Sequence, residues 1–120
     1  MRLSTSGAVL GALILAGAPA FAADVDHGKT LFIACAACHT EKADALGPSL
    51  KGVVGRKSAS RDDFRYSPAM KRANLTWDEG NLRQYLTDPQ AKVKGNRMPF
   101  SGFANPNDVN DVIAYLVTLK

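Results

Sequence analysis

The chain has 120 residues, a formal charge of +4, and 22% charged residues against 46% hydrophobic ones, which fits one small globular domain. Its basic residues are scattered among acidic ones, with no basic stretch interleaved with aromatics, so a nucleic-acid binder is excluded. The mildly basic balance suits docking to acidic protein partners.

The first element is a leader. Arg2 precedes an apolar run from Gly7 to Ala18, and Ala20-Phe21-Ala22 fits the A-x-A pattern of a signal-peptidase site. A membrane anchor is the alternative, but a spanning helix needs roughly 20 apolar residues. This run is shorter and is interrupted by Gly11 and Gly17, with Pro19 behind it. Residues 1–22 are therefore expected to be a cleaved signal peptide, and residues 23–120 a single domain exported to the periplasm, with no membrane span after cleavage.

The remaining elements read as helices. Asp24 or Asp26 can cap a first helix that runs to about Cys38. Residues 40–66 carry Gly47-Pro48, Gly52 and Gly55 and read as loop. Ser67-Pro68 supplies an N-cap and a first-turn proline for a short helix near Ala69 to Arg72. Thr76-Trp77-Asp78-Glu79 has the spacing of a capping box, with Thr76 as N-cap. The helix after it places Leu82, Tyr85 and Leu86 on one face and ends before Pro89. Asn105-Pro106 opens the last helix, where Val109, Val112, Ile113, Leu116 and Val117 follow the spacing of a core-facing stripe. No stretch alternates as a strand does. The expected class is all-α, with about four helices and long loops.

A domain this small needs a staple, and only Cys35 and Cys38 are present to make one. A disulfide closing so short a loop constrains the unfolded chain weakly. A large apolar group attached to both thiols answers the shortage better. Cys35-Ala36-Ala37-Cys38-His39 has the form of the attachment signature for c-type haem. On a helical turn the three functional residues share a face, so both thiols reach the haem vinyl groups while the imidazole points at the iron. His39 is the expected proximal ligand.

Three rivals compete for the same residues. A thioredoxin-like dithiol sits beside a βαβ pattern, absent from this sequence. A zinc site would have to recruit His27, Cys35, Cys38 and His39. A bare structural disulfide is the third. For the iron's sixth ligand, the candidates are Met70, Met98 and His27. Met98 lies in a loop between two helices, preceded by Gly95-Asn96-Arg97 and followed by Pro99-Phe100. That loop can fold over the second haem face, so Met98 is the expected distal ligand. Met70 reads as an ordinary apolar side chain of the short helix.

With these residues placed, the sequence resembles the class I cytochromes c, and within them the soluble bacterial type related to mitochondrial cytochrome c. The resemblance runs from Gly28 to Leu119 through Gly47-Pro48-Ser49-Leu50, Gly52-Val53-Val54-Gly55-Arg56, Phe64-Arg65-Tyr66-Ser67 and Leu75-Thr76-Trp77. It continues in Tyr85-Leu86-Thr87-Asp88-Pro89, Gly95 to Phe100, and Ile113-Ala114-Tyr115-Leu116. It implies the cytochrome c fold around one covalent haem c. It also implies that the Pro48 carbonyl orients His39, that Tyr66, Trp77 and Arg56 hold a haem propionate, and that Tyr85 approaches the Met98 sulfur. Gly28, Phe32 and Tyr115 would sit where the first and last helices cross. Asn96 stands where many relatives have threonine, and Met70 where mitochondrial members have asparagine.

The implied function is electron transfer, not enzymatic catalysis. Iron held by His39 and Met98 has no open position for substrate, and thioether ligation favours the ferrous state. Single electrons would then pass through an exposed haem edge, with Lys29, Lys51, Lys92, Lys94 and Arg97 as candidates for a basic rim. The resemblance implies redox protein partners, such as a membrane cytochrome bc complex as donor and a terminal oxidase, reductase or reaction centre as acceptor, for a monomeric carrier. The alternatives are a dedicated haem subunit of a periplasmic dehydrogenase or respiratory complex and, from a different class, a five-coordinate gas-binding or peroxidase-like haem protein.

Overall fold

The computed structural model describes residues 1, 3–5, 7–12 and 22–120. The apolar centre of the expected leader and most of its cleavage pattern lie outside the described residues. Five helices follow: α1 (Val25–Ala36), α2 (Pro68–Ala73), α3 (Glu79–Thr87), α4 (Pro89–Lys92) and α5 (Pro106–Val117). Among the described residues there is no strand; Lys57 and Thr76 form an isolated antiparallel bridge.

Asp24 caps α1, its side chain accepting a hydrogen bond from the His27 amide at 3.0 Å. The helix closes at Ala36, short of the expected Cys38, yet the backbone keeps turning. The amides of Cys38 and His39 both donate to the Cys35 carbonyl, at 3.1 and 3.0 Å. The geometry that gathers the two thiols and the imidazole is therefore preserved beyond the formal end of the helix.

Ser67 caps α2 and Pro68 occupies its first turn, as expected. The start of α3 differs. Asp78 is the N-cap, accepting from the Asn81 amide at 2.7 Å, and Thr76 is not. Thr76 is held in its bridge to Lys57, while its carbonyl accepts from the Asn81 side chain at 2.8 Å. Two oxygen-bearing residues competed for one cap, and the backbone pairing of residue 76 decided between them.

Asp88 ends α3 and also caps α4, accepting from the Ala91 amide at 3.1 Å. Pro89 therefore ends one helix and opens a one-turn helix, which brings the number among the described residues to five where about four were expected. Asn105 and Pro106 start α5.

The core forms where α1, α3 and α5 meet the loop that precedes α2. Val109, Val112, Ile113 and Leu116 of α5 are buried with Leu82, Tyr85, Trp77, Val53 and Val93. Val109 and Val112 are essentially solvent-free, and burying a side chain of that size contributes about 1.5–3 kcal/mol. Val117, included in the expected stripe, is exposed in the last turn. The α1–α5 crossing is tight at Gly28, and there Phe32 packs on Tyr115 with ring centroids 5.0 Å apart.

The segment from Leu50 to Ser58 is pinned to the strand-like stretch before α3. Gly55 donates to the Trp77 carbonyl at 2.8 Å, Trp77 to the Arg56 carbonyl at 2.8 Å, and Ser58 to the Leu75 carbonyl at 2.7 Å. These bonds satisfy loop backbone groups that would otherwise be buried unpaired. They also bring Arg56 beside Trp77.

Candidate haem site

Cys35 and Cys38 are both free thiols and half-buried. Burial, reinforced by the neighbouring Cys38, raises the Cys35 thiol above its ordinary range, so it stays protonated at neutral pH. His39 follows directly. Its Nδ1 lies 2.7 Å from the Pro48 carbonyl oxygen. A carbonyl can only accept, so Nδ1 carries the proton and Nε2 keeps the lone pair that a metal needs. Burial holds the imidazole below its ordinary basicity, with the Arg56 charge adding to the effect and the Pro48 bond opposing it.

Gly47 is part of this arrangement. A Cβ built there would stand 2.6 Å from His39 Cε1 and 2.7 Å from Nδ1. The bare glycine thus makes room for the ring, and its own amide donates to the Cys38 carbonyl at 2.9 Å. Gly47-Pro48 and Cys38-His39 lock together by one backbone bond and one side-chain bond.

Met98, in the segment between α4 and α5, is half-buried and packed against the core. The Tyr85 hydroxyl lies 3.9 Å from its sulfur, within hydrogen-bond reach for that larger atom. Tyr85 is buried and packs on Trp77 with centroids 4.9 Å apart; burial pushes its hydroxyl up to about 12. Tyr85 therefore stays a neutral donor through the whole physiological range. Met70 is also half-buried against the core, from α2.

The three residues expected around a propionate are placed as follows. Arg56 spends its fork on the carbonyls of Lys51 and Ser49, at 2.9 and 3.0 Å, with donors to spare. Tyr66 is buried and its hydroxyl accepts from the Arg61 amide at 3.3 Å. Trp77 is buried beside Arg56 through the backbone pairing already described. The zinc alternative is not supported. The donor groups that converge among the described residues are His27, Asp108 and Asp111, on an outer face, and not His27 with Cys35, Cys38 and His39.

The donor set fits a covalent haem c: two unoxidised thiols one turn apart, an adjacent imidazole with the correct nitrogen basic, and a thioether held by a neutral hydroxyl. Comparison with known proteins agrees. The family model for cytochrome c matches residues 25–120. The chain belongs to the cytochrome c family. Cytochrome c2 iso-2 of Magnetospirillum molischianum is 47% identical over 100 residues, covering 82% of this chain and all of that one. Cytochrome c2 of Rhodomicrobium vannielii is 45% identical over 115 residues, covering 92% of each chain. Among solved structures, cytochrome cH from Methylobacterium extorquens superposes with a TM-score of 0.75 at 45% identity, covering 79% of this chain and 98% of that one. As a class I cytochrome c of the bacterial type, the protein carries haem c covalently and transfers electrons; it is not an enzyme.

The sequence names Pro48 and Tyr85 but gives two residues no role. Gly47 stands there as a loop and motif residue, although a glycine next to the orienting proline is where a ring would need clearance. Asn96 stands there only as a departure from threonine. An asparagine two residues before Met98 has the spacing at which a side-chain carbonyl meets a backbone amide, and the Met98 amide does donate to Asn96 Oδ1 at 2.9 Å.

Proposed function

We propose that this cytochrome c is an exported, periplasmic carrier in which Cys35 and Cys38 form the thioether bonds to haem, His39 ligates the iron through Nε2, and Met98 closes the sixth position. The observation that carries the reading is the 2.7 Å contact between His39 Nδ1 and the Pro48 carbonyl, which leaves Nε2 basic beside two free thiols. The haem supplies one-electron ferric–ferrous chemistry. The chain's own residues would attach it through Cys35 and Cys38, ligate its iron through His39 and Met98, and leave no place for another ligand. Tyr85, by donating toward the Met98 sulfur, withdraws electron density from the thioether and so favours the ferrous state. Arg56, Tyr66 and Trp77 take the propionate side.

Residues 1–22 are a signal peptide in this reading. The family match begins only at residue 25, and the described apolar leader residues Leu3, Val9 and Leu10 remain exposed. Among the described residues no helix is long and apolar enough to cross a membrane. Lys29, Lys51, Lys94 and Arg97 are exposed and Lys92 is half-buried, donating to the Gln84 side chain; Lys51 lies 4.0 Å from Glu41. This rim suits brief, charge-steered encounters with acidic faces of a membrane cytochrome bc complex as donor and an oxidase, reductase or reaction centre as acceptor.

The ferric absorption spectrum tests the ligand set. Wild type is expected to show the weak long-wavelength band of an iron–methionine bond, Met98→Ala to lose it, and Met70→Ala to keep it. Loss with Met70→Ala and retention with Met98→Ala would overturn the assignment.

A further inference from the structure

We propose that Asn96 is the positioning residue for Met98, assisted by Gln90, and that it takes no part in holding a propionate; this rests on Met98 being the iron's sixth ligand. Asn96 is buried, with 7% of its surface exposed. Its Nδ2 donates to the Pro89 carbonyl at 3.0 Å and to the Val93 carbonyl at 2.9 Å. Its Oδ1 accepts from the Met98 amide at 2.9 Å. A carboxamide has two donor hydrogens, and both are spent on main-chain carbonyls of α4 and its exit. None is left for a carboxylate.

The same bonds tie two segments together. The Pro89 and Val93 carbonyls accept from the Val93 and Asn96 amides, at 2.9 and 3.1 Å, so the Asn96 side chain adds a second donor to each and ties the Met98 amide to them. Gln90 closes the ring from outside. Its Nε2 donates to the Asn96 carbonyl at 2.8 Å, and its Oε1 accepts from the Gly95 amide at 3.0 Å. The backbone adds Asn96 to the Val93 carbonyl at 3.1 Å. Two amide side chains thus clamp residues 89–98 into one unit and fix the backbone from which the Met98 side chain extends. A threonine at residue 96, with a single hydroxyl hydrogen, cannot make both donations.

The test is imidazole binding to the ferric holoprotein, followed by loss of the iron–methionine band. Imidazole must displace Met98, so its apparent affinity rises with the fraction of time the loop is open. Removing the Asn96 side chain takes the acceptor from the Met98 amide, while the Pro89 and Val93 carbonyls keep their main-chain donors, so Asn96→Ala should bind imidazole about tenfold more tightly. Asn96→Thr should also bind more tightly, and it carries the test if the alanine variant does not yield holoprotein. Gln90→Ala should rise by only about two- to fivefold, because Gln90 lies outside the core and water can serve the exposed Gly95 amide in its place. Asp111→Asn, which loosens the distant α1–α5 contact, controls for general destabilisation and should leave imidazole affinity unchanged. An Asn96→Thr affinity equal to wild type, or an equal rise in Asp111→Asn, would overturn the proposal. Absence of the iron–methionine band in wild type would instead overturn the Met98 ligand reading itself, before any variant is compared.

Discussion

The carbonyl oxygen of Asp111 on α5 passes where a side chain on Gly28 of α1 would stand: a Cβ there would lie 1.9 Å from that oxygen and 3.1 Å from Tyr115 Cβ. The obstacle is backbone, which cannot swing aside as a side chain can. Gly28→Ala must therefore separate the two helices, undoing the Phe32–Tyr115 contact above it. Overpacking of this kind costs about 1–3 kcal/mol and more where backbone has to move. Urea unfolding of the holoprotein should show an unfolding free energy lower by that amount, with a correspondingly lower midpoint. An unchanged midpoint would mean that the helices do not cross at this distance.

Gly47 and His39 stand in the same relation inside the site. Gly47→Ala is expected to push the imidazole off the Pro48 carbonyl, since its Cβ would meet the ring at 2.6 Å. Nuclear magnetic resonance of the ferrous protein should show the Nδ1 proton losing its hydrogen-bonded position. Losing an orienting partner typically costs 10–100-fold in metal affinity or activity at ligand histidines. Here the thioether bonds retain the haem, so the loss should appear as easier displacement of His39 at acidic pH. Retention of the wild-type proton resonance would contradict this.

His27 ties the start of α1 to α5. Its Nδ1 lies 2.8 Å from Asp111 Oδ2 and 4.0 Å from Asp108, and the Asp24 amide donates to Asp111 Oδ1 at 2.8 Å. The hydrogen bond to Asp111, aided by the surrounding carboxylates Asp111, Asp108 and Asp24, raises His27 above its ordinary 6.5, and the same bond lowers Asp111 below its ordinary 3.8. A histidine raised on folding contributes stability that is complete below 6.5 and fades as pH rises through its folded value. A carboxylate lowered on folding contributes above 3.8 and fades as pH falls through its folded value. The stability difference between wild type and His27→Gln should thus be largest between about pH 4 and 6.5 and shrink towards pH 8. Denaturant midpoints of the two proteins across that range check it; a difference that grew with pH would contradict the pairing.

The two possible caps of α3 can be separated. Asp78→Ala removes the oxygen that accepts from the Asn81 amide at 2.7 Å and is expected to cost about 1 kcal/mol, within the usual range for an N-cap. Thr76→Ala keeps the Thr76 backbone carbonyl that Asn81 Nδ2 uses, so its effect should stay under about 0.5 kcal/mol. Thermal unfolding of both variants decides, and the reverse order would restore Thr76 as the cap.

Much of the site was legible in the chain because its chemistry is local. Cys35, Cys38 and His39 lie within one turn, so spacing alone says that their side chains share a face. Asn105-Pro106 and Ser67-Pro68 mark helix starts because a cap and a proline act on the next few amides. The stripe of α5 predicted Val109, Val112, Ile113 and Leu116 as core, and failed only at Val117, where the last turn emerges into solvent.

What stayed illegible is what depends on residues meeting across the chain. Thr76 had the better capping-box sequence, but Lys57, nineteen positions earlier, engages it, and Asp78 caps instead. Asn96 could be read as a departure; only the turn of α4, bringing Pro89 and Val93 carbonyls to its two amide hydrogens, gave it work. The sequence by itself determined that this protein attaches haem and is built of helices, because covalent attachment and helix periodicity are short-range properties. The resemblance implied the Gly28 crossing, but the tertiary structure alone decided how close it is, and with it the clearance at Gly47 and the clamp on Met98. Those depend on which backbone atoms approach which side chain, and such distances exist only once distant segments are packed together.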